Sequence, residues 1–320
     1  METVVKKPES HFVLVHGLCH GAWCWYRLAT ILRSAGHRVT APDLAACGAS
    51  PVRVDEVRSF AEYSRPLTDA VDAVPPGERV VLVGHSYGGY SLALAMHAHP
   101  DKIMEETAPD AATDSVPAVT GGAETFLLGP ERLSRRLYQR SPPEDLALAT
   151  APVRPARWFL DDAAMTESVL TADRYGAFAQ ERGPGFFMDS VIETTGGDDL
   201  ERACKTFLLG PEYMAQRLYQ LSPAEDLTLA TMLVRPSRRF VDDAVMNGEE
   251  VLTAERYGAV SRVYVVAEED ASWSPEFQRR MASWNPGAEV RGLQGADHMP
   301  MFSKPRELSD LLVEIADKYT

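Results

Sequence analysis

Three observations predict an α/β protein with a mostly parallel sheet and helices on both of its faces. Short apolar runs alternate with amphipathic stretches through the first hundred residues. The last sixty residues return to that alternation. The strongest strand signal, Val80 to Val83, runs straight into a glycine and then a helix.

Taken in order, His11 to Val15 is an apolar run ending at Gly17, suited to a strand buried on both faces. Ala22 to Ser34 reads as a helix with Trp25, Leu28, Ile31 and Leu32 on one face, closed by Gly36. Arg38 to Ala41 is a second strand, and Phe60 to Val74 a second helix stopped by Pro75-Pro76. After Val80 to Val83, Ser91 to His97 is helical. Near the far end, Arg262 to Val266 is a strand, Pro275 to Trp284 a helix and Glu289 to Leu293 a weaker strand. The last helix starts at Pro305 and places Leu308, Leu311, Leu312 and Ile315 at i, i+3, i+4 and i+7.

The chain has 320 residues and a net charge of −14, with 24 % charged and 45 % hydrophobic residues, the balance of a globular protein. The length allows two domains, or one large domain with an insertion. The acidic balance argues against nucleic acid or an anionic membrane as partner. No apolar run reaches the roughly 20 residues that span a bilayer, and the opening METVVKKPES shows no secretory signal. Cys19, Cys24, Cys47 and Cys204 have no metal-ligand spacing and read as free thiols in a reducing compartment, so a cytoplasmic location is expected.

The middle of the chain contains a duplication. Thr125-Phe126-Leu127-Leu128-Gly129-Pro130-Glu131 recurs 81 residues later as Thr206 to Glu212. Arg136 to Gln139 matches Arg217 to Gln220, Val153-Arg154-Pro155 matches Val234-Arg235-Pro236, and Val169 to Ala172 matches Val251 to Ala254 after a one-residue insertion. Two copies fall short of the three or more repeats a solenoid needs, so this reads as one insert copied in tandem.

The chemistry centres on Gly84-His85-Ser86-Tyr87-Gly88, a G-x-S-x-G turn between strand and helix that holds a serine hydroxyl exposed at strained backbone angles. A serine nucleophile needs a base, and the base an orienting acid, in the chain order Ser, Asp or Glu, His. Of eight histidines only His298 follows the last strand signals, in the loop Gly295-Ala296-Asp297-His298. His11, His37, His97 and His99 belong to element ends, His16 and His20 to the first loop, and His85 neighbours the serine. For the acid, Glu268, Glu269 and Asp270 compete at the end of their strand. Asp270 is our choice, though spacing barely separates it from Glu269. Backbone N–H groups of Tyr87 and Leu18 are the expected oxyanion donors.

His16-Gly17-Leu18-Cys19-His20-Gly21-Ala22-Trp23, the elbow with Gly89, Gly295 to Met299 and the segment 218–227 together resemble the plant methylesterase family of α/β-hydrolases. That family includes methyl salicylate and methyl jasmonate esterases, polyneuridine aldehyde esterase and hydroxynitrile lyases. The resemblance covers residues 11–103 and about 186–320. It implies an α/β-hydrolase fold with a largely helical cap insertion and a catalytic triad of Ser86, Asp270 and His298. The implied reaction is hydrolysis of small methyl esters such as methyl salicylate, methyl jasmonate or methyl indole-3-acetate. No cofactor or metal is implied, and a homodimer is allowed. Lyases of the family carry Thr where Gly17 stands and Lys where Met299 stands, which favours hydrolysis here.

The chain is expected to divide into core (1–103), a first, extra cap copy (104–178), a second cap copy (179–260) and core again (261–320). It departs from the family after Ile103, where Met104-Glu105-Glu106-Thr107-Ala108-Pro109 stands in place of an apolar central strand. Phe186 to Ile192 is a candidate to fill that gap. If the gap misaligns the triad, the alternative function is a catalytically impaired hydrolase-like protein that binds a small hormone ligand.

Overall fold

The computed structural model describes residues 9–104, 116–120, 123–127, 156–157, 185–195, 204–238, 256–283 and 287–319, with Phe240, Asp243 and Asn285. It forms two compact units, Met1–Glu106 with Ser168–Thr320, and Thr107–Glu167.

In the larger unit β1 (His11–Val15) lies at the centre of a parallel sheet between β2 (Arg38–Thr40) and β3 (Val81–Gly84). Phe12 pairs with Val81 and Val15 with Gly84. The two faces of β1 serve two cores, as its alternation requires. Phe12 and Leu14 pack with Leu28 and Leu32 of α1 (Tyr26–Ser34). Val13 and Val15 pack with Phe60, Leu67 and Val71 of α2 (Phe60–Asp72) and Met96 of α3 (Gly88–Ala98). The expected helix from Ala22 begins with a 3₁₀ turn, Ala22–Trp25, before α1. Ser59 caps α2, its hydroxyl accepting from Glu62 N at 3.1 Å.

α3 starts three residues earlier than its apolar periodicity indicates, because Gly88 lets its first turn approach β1. A Cβ at 88 would lie 2.5 Å from the His16 carbonyl oxygen.

The smaller unit contains β4 (Val116–Thr120), β5 (Ala123–Leu127) and β6 (Ala156–Arg157), joined antiparallel. The larger unit repeats that ladder with β7 (Val191–Thr195), β8 (Cys204–Leu208) and β9 (Ser237–Arg238). The duplicated residues keep their register. Thr125 pairs with Arg157 and Phe126 with Ala156, as Thr206 pairs with Arg238 and Phe207 with Ser237. The repeats at 136–139, 153–155, 169–172 and 251–254, and the copy junction near 178, lie outside the described residues. After β8 come a short helical segment, Pro211 to Leu218, and α4 (Ala224–Leu233).

Phe186 to Ile192 does not fill the gap after Ile103. Phe186 packs edge-on and Phe187 tilted against Tyr213, Asp189 accepts from Glu212 N and Tyr213 N at 2.9 Å each, and Val191 opens β7. The segment's apolar residues find the cap, and its aspartate caps the next helix.

The C-terminal part supplies β10 (Val263–Ala267), α5 (Pro275–Ser283), β11 (Glu289–Leu293) and α6 (Pro305–Lys318), with β10 and β11 parallel. Among the described residues no strand joins β3 to β10, and the parallel strands form two separate sheets. Ile103 begins a parallel neighbour of β3, bridging to Val80, but the described residues continue only to Met104. A cavity of about 490 Å³ lies along this gap, lined by Val80 to Gly84 on one side and Arg262 to Val265 on the other. Val81 to Val83 and Val263 to Val265 are accordingly half-buried, whereas Phe12 to Val15 are fully buried.

Candidate active site

β3 delivers Ser86 on a turn with φ of +51°, a left-handed conformation that leaves the side chain exposed. Tyr87 is the N-cap residue of α3, so its N–H stands at the positive end of that helix. The loop after β1 packs on this turn, since a Cβ on Gly17 would be 3.3 Å from Ser86 Cβ and 3.0 Å from His85 Nδ1.

Two buried histidines hold the loop that carries Leu18. His16 Nδ1–H donates to Gly17 O at 2.8 Å while Nε2 accepts from Leu44 N at 3.0 Å. The trans peptide therefore aims the Leu18 N–H away from His16. His20 Nδ1–H donates to Leu18 O at 2.8 Å, and its Nε2 accepts from the Tyr219 hydroxyl at 2.8 Å. Burial keeps both neutral, pushing His16 below its ordinary value and His20 down to about 4. Neither role was visible in the sequence, where both residues are only loop neighbours.

At the end of β10 the three acidic residues separate. Glu268 pairs with Arg279 at 2.5 Å, and Glu269 accepts from Gly295 N at 2.5 Å. Asp270 Oδ1 accepts from Ser272 N at 2.7 Å and Trp273 N at 2.9 Å, fixing a tight turn. Its Oδ2 accepts from His298 Nδ1 at 2.8 Å. That bond leaves His298 Nε2 as the basic nitrogen.

Gln278 of α5, 5 % exposed, is a third residue whose role the sequence does not reveal. Its Oε1 accepts from Ala267 N at 3.0 Å. Its Nε2 faces Trp273 O at 2.7 Å, Ala267 O at 3.1 Å and Asp270 Oδ2 at 3.3 Å. The cap clamps the same loop through Tyr213 Oη to Ser272 Oγ at 2.8 Å, Arg217 to Ala271 O at 3.2 Å and Gln220 to Glu269 O at 2.7 Å.

The His298 loop is held from two sides. His85 Nε2–H donates to the His298 carbonyl at 2.7 Å, and burial drives the His85 pKa well below its ordinary value. Asp297 accepts from Leu221 N at 3.0 Å, Ser222 Oγ at 2.8 Å and Met299 N at 2.9 Å, while burial raises its pKa.

Ser86, Asp270 and His298 line one cavity, but among the described residues no hydrogen bond joins Ser86 to His298. The four cysteines are buried thiols outside any disulfide, and burial pushes Cys19 up to about 12 and raises Cys24 and Cys47, away from thiolate character. Among the described residues no three His, Cys, Asp or Glu side chains gather as metal ligands, and no helix is long and apolar enough to cross a membrane.

Residues 12–311 match a family described as Alpha/beta hydrolase family. The chain is 45 % identical over 317 residues to Esterase PIR7B of Oryza sativa subsp. japonica, covering 99 % of each chain. It is 38 % identical over 316 residues to Methyl jasmonate esterase 1 of Vitis vinifera, covering 99 % of this chain and 100 % of that one. The crystal structure of polyneuridine aldehyde esterase superposes with a TM-score of 0.73 at 34 % identity, covering 97 % of this chain and 100 % of that chain.

Proposed function

Because the chain belongs to the alpha/beta hydrolase family, we propose that it is a serine carboxylesterase acting on small methyl esters through Ser86, His298 and Asp270. The observation that carries this reading is the His298–Asp270 hydrogen bond of 2.8 Å in the cavity that Ser86 also lines. Relatives named as esterases and a methyl jasmonate esterase support it.

Ser86 Oγ attacks the ester carbonyl carbon as His298 Nε2 takes its proton, and the carbonyl electron pair moves onto oxygen. The N–H groups of Leu18 and Tyr87 stabilise that oxyanion. Collapse breaks the bond to the methoxy oxygen, which leaves as methanol with the proton from His298. Water then attacks the acyl-enzyme, giving its proton to Nε2, and the carboxylic acid departs as Ser86 recovers its proton. Asp270 holds the imidazole and stabilises its charged form. Methyl salicylate, methyl jasmonate and methyl indole-3-acetate are the candidate substrates and the cytoplasm the expected location, with 104–178 and 179–260 as two cap copies. The test is fluorophosphonate labelling of Ser86 together with release of methanol from these esters. A folded protein that is neither labelled nor active refutes the reading.

The absence of a Ser86–His298 hydrogen bond among the described residues favours a second reading, a catalytically impaired protein that binds a small hormone ligand. Salicylate binding that Ser86→Ala leaves unchanged, without hydrolysis, would select it.

A further inference from the structure

The gap between β3 and β10 has two edges whose main-chain groups can be assigned. Val80 N donates to Lys102 O at 2.9 Å and Met104 N donates to Val80 O at 3.0 Å, so Val80 faces the gap. By the alternation of a parallel ladder, Leu82 and Gly84 face it too, while His85 N turns the other way, to Val15 O at 3.0 Å. On the opposite edge Arg262 O accepts from Glu289 N at 2.8 Å and Glu268 N donates to Leu293 O at 3.2 Å, so even positions face β11. Val263, Val265 and Ala267 therefore face the gap. Among the described residues Ala267 alone has a partner on that side, the Gln278 carboxamide, which accepts from its N–H at 3.0 Å and donates to its C=O at 3.1 Å.

Both ends of the gap thus already hold amide groups in a strand neighbour's place, the main chain of Lys102–Met104 at one and the Gln278 side chain at the other. Between them stand Leu82, Gly84, Val263 and Val265, flanked by the apolar side chains of Leu92 and Met96 from α3 and Phe277 from α5. A hydrocarbon would leave those N–H and C=O groups dry and unpaired, whereas an extended peptide pairs with them. The residues after Met104, Glu105-Glu106-Thr107-Ala108-Pro109, bring two carboxylates and a proline, so the segment that continues from Met104 is a poor occupant by composition.

We propose that this cavity is a strand-acceptor site, which takes up an extended peptide of uncharged, β-branched residues supplied in trans. The peptide pairs with the gap-facing groups of β3 and β10 and makes the two sheets continuous, which fixes the Ser86 turn relative to Asp270 and His298.

The experiment uses the full chain and fluorescein-labelled Ac-Lys-Val-Ile-Val-Val-Gly-Lys-amide, with the same peptide N-methylated at Ile and the second Val as control. Fluorescence anisotropy should show saturable binding that N-methylation weakens at least about ten-fold, because two main-chain donors are lost while every side chain stays. Hydrogen exchange at Leu82, Gly84, Val263 and Val265 should slow when the unmodified peptide is added, and Ser86 labelling by a fluorophosphonate should quicken. No binding, or equal binding of both peptides, overturns the proposal, the latter being apolar adhesion only. Protection of those four amides before peptide is added also overturns it, assigning the gap to another segment of the chain in a monomer or to a second copy in a dimer. Ser86 that is never labelled counts against the esterase reading alone, since binding and exchange report the strand site independently.

Discussion

Gln278→Ala is expected to lower stability by about 2–4 kcal/mol and to slow hydrolysis about ten-fold. The buried carboxamide serves Ala267 N, Ala267 O, Trp273 O and Asp270 Oδ2 at distances of 3.0, 3.1, 2.7 and 3.3 Å. Each neutral hydrogen bond is worth about 1 kcal/mol net, and an orphaned buried group costs about 1–3 kcal/mol. Water entering from the adjoining cavity restores part of that loss, which sets the upper bound. At roughly 2–4 °C per kcal/mol for a domain of this class, the thermal midpoint should fall by roughly 4–16 °C. Asp270 Oδ2 keeps the His298 bond but loses its second donor, so the loss should fall on kcat more than on KM. Gln278→Glu separates positioning from bulk stability. It places a second carboxylate beside Asp270, favours the imidazolium of His298 and moves the acid limb of the kcat/KM profile to higher pH. An Ala variant with an unchanged thermal midpoint and kcat, joined with a Glu variant of unchanged pH profile, would refute the reasoning.

Ser86→Ala keeps the strained φ of +51° and Ser86→Gly releases it. Both should abolish fluorophosphonate labelling, with the Gly variant about 1 kcal/mol the more stable in urea unfolding. Gly17→Ala brings a Cβ to 3.0 Å from His85 Nδ1 and 3.3 Å from Ser86 Cβ, and should cut kcat/KM about ten-fold with native-like circular dichroism. His16, His20 and His85 are held neutral by burial, so between their folded pKa values and about 6.5 the unfolded chain binds more protons. Their contribution is full above about pH 6.5 and lost as pH falls, through about 4 for His20. Urea midpoints should drop steeply from pH 7.5 to 5, and a flat profile would contradict the assignment.

The sequence made the serine turn, the loops that carry Asp270 and His298 and the course of the parallel strands readable, since each rests on local signals. β11 occupies the bounds its alternation indicates, and the parallel neighbour of β3 that begins at Ile103 is described only as far as Met104, where the polar run starts. What stayed hidden depends on neighbours distant in the chain. Gln278 looks like an ordinary residue of an amphipathic helix until the edge of β10 opposite β11 is seen to have no strand neighbour among the described residues. His16 and His20 act on carbonyls one and two residues away, but only because Leu44 N and the Tyr219 hydroxyl take their other nitrogens. Phe186 to Ile192 has a strand's composition, and its local pattern could not tell a central parallel strand from one paired antiparallel in the cap.

The matched registers of the two antiparallel ladders bear on how the chain reaches its native state. β5 and β8 share Thr-Phe-Leu, and each pairs through its Thr with an arginine, Arg157 or Arg238. During folding β5 can recruit β9, and β8 can recruit β6, with the same hydrogen bonds. Two nearly degenerate exchange products therefore lie close in energy to the native pairing, a local frustration that a single copy would not have. Sorting its own duplicate strands is thus a demand on the folding chain that one copy of the segment would not impose.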